Sequence, residues 1–392
     1  MNNSQSFWLR PAVLKAYLLF FCIGVVVVSL GRPDHIWDTI SYTSLAKEKD
    51  FESVEALHKE AFDSLIAAVG EERFQSMLGQ HHPKFRQAMY ENSEVFKQQL
   101  NFFRTRLLFT NTVRLINKTT GISPRVGGTV VAGICAALGL WVMAMLFFQK
   151  VPRTAVYLFP IVGILFGVIS LGRASSPDGM SFLFIALNCY FFFKGPKWVL
   201  LLMLPLAVAA RTDAIVWAGL MGGYLFLTQK GFNRWGSVLA ILLSYATYKY
   251  ANHAAGQYDW GVLIQNAFWE PLLLPGEADG VITVARYAKI LAVGIGTIIV
   301  EKELLVYLVL LIWFLAMVFV KHGLKGRFWQ VFRNPWIGFI AISLAYIAAH
   351  FVLFPMVWYR FFIVPYIFMA FLFIASAKVG LGAIEEDEST RS

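Results

Sequence analysis

Residues 12–30 read AVLKAYLLFFCIGVVVVSL, an almost unbroken apolar run with the basic residues Arg10 and Lys15 at its start. A helix of about 20 such residues spans the hydrocarbon core of a bilayer. A secretory signal peptide carries a small-x-small cleavage site, which this stretch lacks. The sequence therefore predicts a retained first transmembrane helix, with residues 1–30 forming a cytoplasmic N-terminus and that helix.

The composition of the whole chain is that of a membrane protein. Its 392 residues are 58% hydrophobic and 15% charged, a balance that a water-soluble globule of this size rarely has. The formal net charge of +10 is spread over short loops instead of forming one basic surface. We therefore expect membrane lipids as partners and no nucleic acid. The three cysteines lie inside apolar runs, which argues against a disulfide framework.

Ten further apolar runs follow the first, and many have the length of a membrane-crossing helix. They lie at 128–148, 154–172, 178–194, 197–210, 212–228, 235–252, 287–300, 303–320, 335–354 and 361–377. Four connections contain Lys or Arg but no acidic residue, which is typical of cytoplasmic loops. These connections are 150–153, 194–197, 230–234 and 321–334.

Alternation of the loops across the membrane then fixes the predicted topology. If both 287–300 and 303–320 crossed, the basic linker at 321–334 would fall outside, so 287–300 is predicted to be a re-entrant or interfacial helix. The sequence thus predicts an all-α polytopic membrane protein with about ten transmembrane helices and both termini in the cytoplasm. Residues 127–377 form the helix bundle, with an outer loop at 254–302. Residues 378–392 form an acidic cytoplasmic tail.

The same alternation places residues 31–126 outside, as one large extracytoplasmic loop between the first two transmembrane helices. Apolar residues recur there at helical spacing, first from Phe51 to Leu65 and again from Phe85 to Leu107. A break at His81-His82-Pro83 separates the two patterns. We expect amphipathic helices that lie on the membrane surface or cap the bundle.

This loop opens with GRPDHIWDTISYTSLA at residues 31–46. On a helix, Asp38, Tyr42 and Ala46 share one face, which places a carboxylate at the outer mouth of the first transmembrane helix. Such a carboxylate can serve as a general base. The alternative is a helix cap or a solvated acidic residue.

The layout resembles the GT-C superfamily of membrane glycosyltransferases, whose sugar donors are usually linked to a polyprenyl phosphate. The resemblance is carried by the D-x-x-x-Y-x-x-x-A pattern from Asp38 and by three further stretches. These are FRTRLLF at 103–109 with TTGIS at 119–123, SPD at 176–178 in the second outer loop, and WYRFFIVPY at 358–366, which is similar to an aromatic-Arg…Pro signature.

The resemblance implies a GT-C-like fold and transfer of a sugar from a polyprenyl-phosphate-linked donor to a glycan, lipid or protein acceptor. The reaction would take place on the extracytoplasmic face. Short basic turns and the absence of cysteine pairs fit a bacterial inner membrane. Many members of the superfamily have an adjacent acidic pair in the first loop, whereas Asp34 and Asp38 are one helical turn apart here.

The chemistry of such a transfer assigns roles to the residues. A base must accept the proton of the acceptor hydroxyl, for which Asp38 is the first candidate and Asp34 the second. Negative charge develops on the departing lipid phosphate, and cationic side chains stabilise it. The candidates for this role are Arg360, Arg211, Arg104 and His350.

Each of these side chains also has a simpler interpretation. Arg360 could extend to the lipid headgroups, Arg211 could pair with Asp213, and His350 could bond a backbone carbonyl. Tyr42, Asp178 and Tyr359 are the candidates for binding the acceptor. Asp178 could also bind a divalent metal or simply begin a helix. No cofactor is firmly predicted, and His81-His82 lacks the companions of a zinc site.

The sequence is also compatible with other functions. A surface-polysaccharide polymerase or ligase would use a whole lipid-linked oligosaccharide as its donor. A transporter or lipid flippase would instead place polar residues and broken helices near the bilayer midplane. A non-catalytic membrane assembly factor would tolerate the loss of Asp38.

Overall fold

The structure is a computed structural model that describes residues 7–80, 82–256, 258, 260–269, 271–298, 301–322, 333–356 and 358–376. The predicted acidic tail, His81 and most of the linker at 321–334 lie outside the described residues. The described part of the chain is helical and contains no strand, apart from an isolated parallel bridge between Asp34 and Ala174.

The first helices of the chain are α1 (Pro11–Gly31), α2 (Asp38–Lys47), α3 (Val54–Val69), α4 (Glu71–Gly79), α5 (Pro83–Glu91), α6 (Ser93–Arg104) and α7 (Leu107–Thr120). We call α2 to α7 the outer helices. They are followed by α8 (Pro124–Phe147), α9 (Phe159–Leu165), α10 (Val168–Arg173), α11 (Asp178–Lys194), α12 (Lys197–Ala210), α13 (Ala214–Thr228) and α14 (Gly231–Ala254).

The last part of the chain contains α15 (Trp260–Phe268), α16 (Val284–Ile298), α17 (Lys302–His322), α18 (Pro335–Leu353) and α19 (Tyr359–Ser376). We call α1, α8 to α14 and α17 to α19 the bundle. Short 3-10 helices lie at Phe7–Leu9, Glu48–Asp50, Arg153–Leu158 and Pro275–Glu277.

Four described helices, α1, α8, α18 and α19, are long and apolar enough to cross a membrane. The segments Arg153–Leu165, Lys197–Ala210 and Ala214–Thr228 are shorter apolar helices. The described part of the chain is therefore helical, with four helices that could span a membrane, as in a helical membrane protein. The count of ten crossings remains a prediction.

One apolar run, 154–172, differs from the single long helix that its length suggests. It is divided into a 3-10 helix, α9 and α10. The break lies at Gly167, which adopts a left-handed φ of 77° and has the ring of Tyr359 packed against its α-carbon. A side chain at this position would meet that ring, so glycine permits both the turn and the close contact.

Helix α8 lies in the middle of the bundle and packs against α1, α10 and α11. Glycines on α8 allow this packing, because Gly133 lies against Ser29 of α1 and Gly139 against Phe182 of α11. In lipid, small residues at helix contacts let the backbones approach closely. Gly179 likewise meets the backbone of Ala132, which fixes the first turn of α11 and with it Asp178.

The outer helices have a hydrophobic core of their own. Its centre is aromatic, with Phe62, Phe74 and Phe96 almost completely buried. Phe62 packs edge to face against Phe74 and at a tilted angle against Phe96. The apolar residues that predicted two helical segments in this region belong to this core. Helices α2 and α7 also contact α8, so the outer helices are packed against the bundle.

Candidate active site

A cavity of about 380 Å³ lies where the outer helices meet the ends of bundle helices. Three residues predicted from distant parts of the sequence, Asp38, Asp178 and Arg360, line this one cavity. Its wall also contains aromatic side chains from both regions, namely Trp37, Phe85, Phe102, Phe103, Trp358 and Phe361. The cavity therefore combines charged groups with flat apolar surfaces.

Helix ends place the charged groups at the cavity. Asp38 is the first residue of α2 and Asp178 the first of α11, whereas Arg211 directly follows α12. The partial positive charge at a helix N-terminus stabilises a carboxylate placed there. We call Asp178, Arg211 and Arg360 the bundle wall, and Asp38, Arg86 and Arg106 the outer wall.

Asp38 lines the cavity without a close side-chain partner among the described residues. It is partly buried, and no described side chain donates a hydrogen bond to it. Burial raises the pKa of Asp38, because the opposing fields of Arg360 and Arg106 only partly offset the loss of hydration. A carboxylate with a raised pKa is a better proton acceptor, which suits a general base.

Tyr42 lines the cavity one helical turn after Asp38, as the spacing predicts. Its ring is buried and packs edge-on against Phe103 and Phe109, with centroid distances of 5.2 and 5.4 Å. Tyr42 is therefore a rigid part of the cavity wall.

Each of the three guanidinium nitrogens of Arg211 donates within a buried ionic network. Its Nε and Nη2 donate to the two carboxylate oxygens of Asp213, each at 3.0 Å, and its Nη1 donates to Asp178. The side chain is 8% exposed. The structure thus contains the ion pair between Arg211 and Asp213 that was the simpler interpretation of Arg211.

His350 belongs to the same network and does not line the cavity. Its Nε2 lies 3.5 Å from the Oδ2 atom of Asp213, and its ring packs against Phe361 with a centroid distance of 4.8 Å. The predicted alternative, a bond to a backbone carbonyl, is replaced by this contact with a carboxylate. His350 thus acts on the cavity only through Asp213 and Arg211.

Arg360 is held much more loosely than Arg211. Its Nη1 lies 3.4 Å from the Oδ2 atom of Asp178, and its guanidinium stacks over the ring of Trp358 at 4.3 Å. The side chain is 27% exposed. Most of its N–H donors therefore remain available to a ligand.

Two predicted residues are placed away from the cavity lining. The backbone N–H of Asp34 donates to the carbonyl of Arg173 at 2.9 Å, so this residue joins the first loop to the end of α10. Arg104 forms a two-pronged ion pair with Glu48 and donates to Asn101. Asp34 and Arg104 therefore have structural contacts where the sequence suggested chemical roles.

Tyr359 does not line the cavity. Its ring packs against Gly167, and it lines an open groove with Glu301, Lys302 and Glu303 that shares Trp358 and Arg360 with the cavity. This position separates Tyr359 from Tyr42 and Asp178, the other two residues predicted to bind the acceptor.

Two arginines of the cavity were missed by the sequence analysis, Arg86 on α5 and Arg106 between α6 and α7. Arg106 lies in the FRTRLLF stretch, in which Arg104 was chosen. The two residues stand on either side of the end of α6, so their side chains diverge. The sequence signal for Arg86 is weak, because a lone arginine on an amphipathic helix is usually solvated.

A divalent metal was one option for Asp178. Among the described residues, no group of three or more His, Cys, Asp and Glu side chains is placed to hold a metal ion. The carboxylate of Asp178 is instead shared by Arg211, Arg360 and the hydroxyl of Ser176, which donates at 3.1 Å.

Comparison of the chain with protein-family models, with curated proteins and with solved structures finds no match. The assignment of a function therefore rests on the geometry and chemistry of the cavity itself.

Proposed function

We propose that this chain is a membrane glycosyltransferase that moves a sugar from a polyprenyl-phosphate-linked donor to a glycan, lipid or protein acceptor. The observation that carries the proposal is the meeting of Asp38, Asp178 and Arg360 at one cavity. A base, a cation for the phosphate and an aromatic-lined space of ligand size are thereby brought together.

The cavity is proposed to open on the extracytoplasmic face of a plasma membrane, such as a bacterial inner membrane, in a chain that crosses ten times. Charge placement supports this orientation. Helix α11 runs from Asp178 at the cavity to the basic turn at 194–197, and α12 returns from that turn to Arg211. The cavity thus lies at the helix ends opposite the basic turns, which are typical of the cytoplasmic side.

In the proposed reaction, the oxygen of the acceptor hydroxyl forms a bond to the anomeric carbon of the sugar. The bond between that carbon and the donor phosphate oxygen breaks, and its electron pair leaves with the phosphate. The hydroxyl proton passes to the carboxylate of Asp38. The freedom of this carboxylate from protein partners supports its role as the base.

Arg360 is proposed to bind the donor phosphate. Its guanidinium is held in place by Trp358 but has a single, long contact with Asp178. Arginine pairs with a phosphate through two parallel N–H bonds, and this pairing strengthens as charge develops on the leaving group. Arg211, whose donors are used by Asp178 and Asp213, is proposed to hold Asp178 in place instead.

A transporter or flippase is less well supported. Its polar residues would be expected near the bilayer midplane, at broken helices. Here the charged network lies at the helix ends beside the outer helices. A polymerase or ligase acting on a lipid-linked oligosaccharide would use the same groups, and donors of different glycan length would separate it from a transferase of single sugars.

The proposal is tested by replacing Asp38 with Asn, which keeps the shape of the side chain but removes its ability to accept a proton. We expect a loss of about 100-fold or more in turnover by purified protein in nanodiscs, measured as transfer from a synthetic polyprenyl-phosphate sugar.

The matched control is Asp34→Asn, which changes an acid four residues earlier in the chain that does not line the cavity. It should keep near-normal turnover. An active Asp38→Asn protein would remove Asp38 as the base, and with it the main support for the enzyme.

A further inference from the structure

We propose that Arg86, Arg106 and Trp37 form a second anion-binding subsite, which holds a phosphate or carboxylate group of the acceptor. The inference rests on the proposed function and makes it more specific, because it names the acceptor as an anionic molecule. Both sources of negative charge offer paired oxygens of similar geometry, so one guanidinium subsite can accept either.

The two arginines are held by the backbone of the outer helices. Arg86 donates through Nη1 to the carbonyl of Met77, and its guanidinium stacks over the ring of Trp37 at 4.9 Å. Arg106 donates through Nη1 to the carbonyl of Phe102. Each guanidinium is thus held in a fixed orientation, and each still has N–H groups that do not donate to the protein.

Two buried donors at this end of the cavity have no hydrogen-bond partner among the described residues. They are Nε of Arg106 and Nε1 of Trp37. A buried N–H that lacks a partner is costly, so natural proteins rarely keep one without a use. Both side chains line the cavity, and both groups are donors only. Both N–H groups are covered in this structure, so a ligand reaches them only when a neighbouring side chain moves, and such a ligand must bring acceptor oxygens.

The charge balance of the outer wall points in the same direction. Within the described part of the chain, neither Arg86 nor Arg106 forms a salt bridge. Two guanidinium charges thus face the single carboxylate of Asp38. On the opposite side, Asp178 and Asp213 balance Arg211 and Arg360. The outer wall is the side of the cavity with a surplus of positive charge.

The first turn of α5 adds to this surplus. His82, Phe85 and Arg86 all line the cavity, so the N-terminal end of this nine-residue helix lies next to it. The partial positive charge of a helix N-terminus favours a nearby anion.

The geometry of a displacement reaction assigns this subsite to the acceptor. The attacking hydroxyl and the leaving phosphate lie on opposite sides of the reacting carbon. If Arg360 on the bundle wall holds the leaving phosphate, the acceptor approaches from the outer wall. Asp38 lies on that wall, where it can reach the acceptor hydroxyl, and it interacts electrostatically with Arg360 as well as with Arg106 and Arg86.

The test measures binding by isothermal titration calorimetry to the full-length protein in nanodiscs, so it does not depend on turnover. The probes are glucose 6-phosphate, whose phosphate is not on the anomeric carbon, its uncharged counterpart methyl glucoside, and farnesyl phosphate for the donor side. We expect Arg86→Gln and Arg106→Gln to weaken glucose 6-phosphate binding by about tenfold or more, since each removes charge-assisted hydrogen bonds. Binding of farnesyl phosphate should change by no more than about twofold in these variants.

Three further variants complete the design. Arg360→Gln should show the reverse pattern, and Arg104→Gln, whose charge is paired with Glu48, should change neither affinity. Arg86→Lys and Arg106→Lys keep the positive charge and should retain most of the binding. They therefore show whether the glutamine variants lose affinity because the charge is gone or because the protein is misfolded. Asp38→Asn should strengthen glucose 6-phosphate binding, because it removes a like charge from the subsite.

The proposal is overturned if Arg86→Gln and Arg106→Gln leave the affinity for glucose 6-phosphate unchanged. It is also overturned if they weaken both phosphates equally, since the cavity would then have one anion site, or if methyl glucoside binds as tightly as glucose 6-phosphate. An Asp38→Asn protein that still transfers sugar would contradict the proposed base but not this subsite.

Discussion

The two walls of the cavity hold similar residues in opposite electrostatic states. On the bundle wall, Arg211 shares its donors between Asp178 and Asp213 and is buried. On the outer wall, Asp38, Arg86 and Arg106 approach one another without forming a salt bridge among the described residues. One wall is internally neutralised, whereas the other still has charges that a ligand can pair with.

This difference separates groups that hold the site together from groups that can act on a substrate. A buried ion pair whose donors are all used contributes rigidity, and loss of one partner leaves an uncompensated charge. Groups that act on a ligand must keep unused donors or acceptors. The comparison therefore predicts mainly structural effects for the bundle network and mainly binding or catalytic effects for the outer wall.

The largest effect is expected from Arg211→Met. This change leaves Asp213 and part of the charge of Asp178 without a partner in a buried site, which costs about 3–5 kcal/mol. We expect poor recovery of folded protein and a much lower apparent midpoint of thermal unfolding. Size-exclusion chromatography of samples heated to different temperatures measures both.

Two matched variants sharpen this prediction. Arg104→Met breaks the more exposed pair with Glu48 and should cost about 1 kcal/mol or less. Adding Asp213→Asn to Arg211→Met removes a stranded carboxylate and should restore part of the lost stability. If Arg211→Met is as stable as Arg104→Met, the bundle network is not the rigid wall that the comparison requires.

An intermediate effect is expected at Arg360, the most loosely held cation of the bundle wall. Arg360→Lys keeps the charge but loses the paired N–H geometry, so transfer from a polyprenyl-phosphate sugar should fall by about tenfold, and Arg360→Ala should lose more. The measurement is the apparent donor affinity and the maximal rate of purified protein, with folding checked by size-exclusion chromatography.

Arg360 would be reduced to an anchor at the lipid headgroups if Arg360→Ala changed neither quantity. In that case the donor phosphate would have to meet the outer wall, and Arg86 and Arg106 would be its next candidate ligands.

The sequence predicted the bundle helices better than the cavity. Helices α11 and α12 begin and end at the residues expected, because their apolar runs stop at charged turns. The break at Gly167 was missed, since its apolar neighbours give no sign of a turn that depends on contact with Tyr359. Sequence patterns thus locate segments in lipid but not the packing that bends them.

The site was predicted in part. Helical spacing placed Asp38 and Tyr42 on one face, and both line the cavity. Spacing could not decide between Arg104 and Arg106, because the end of α6 determines which of them faces inward. Nor could it identify Arg86, whose importance comes from its stacking on Trp37. Tertiary contacts decide which of several similar residues reaches a ligand.

The smallest expected effect concerns Asp38 and the stability of the fold. Burial raises the pKa of this carboxyl, with Arg360 and Arg106 opposing the shift only in part. The ionised form is therefore less favourable in the folded protein than in the unfolded chain, where an aspartate has a pKa of about 3.9. The contribution of the neutral Asp38 carboxyl to the stability of the fold is fully present below the unfolded pKa of about 3.9. It is lost as the pH rises through the higher pKa of the folded state.

Asp38→Asn removes this loss, because the amide does not ionise. The variant should therefore have an apparent unfolding midpoint about 1–3 °C above that of the unaltered protein near pH 8, and the difference should shrink near pH 4. Thermal unfolding, monitored by tryptophan fluorescence at both pH values, measures this difference.

A variant that is less stable near pH 8 would mean that Arg86 and Arg106 already stabilise the Asp38 carboxylate. The outer wall would then be as internally neutralised as the bundle wall, and the contrast between them would be lost. If Asp38→Asn also lowers turnover as expected, a gain in stability would instead mean that the fold retains a costly charge because the reaction needs it.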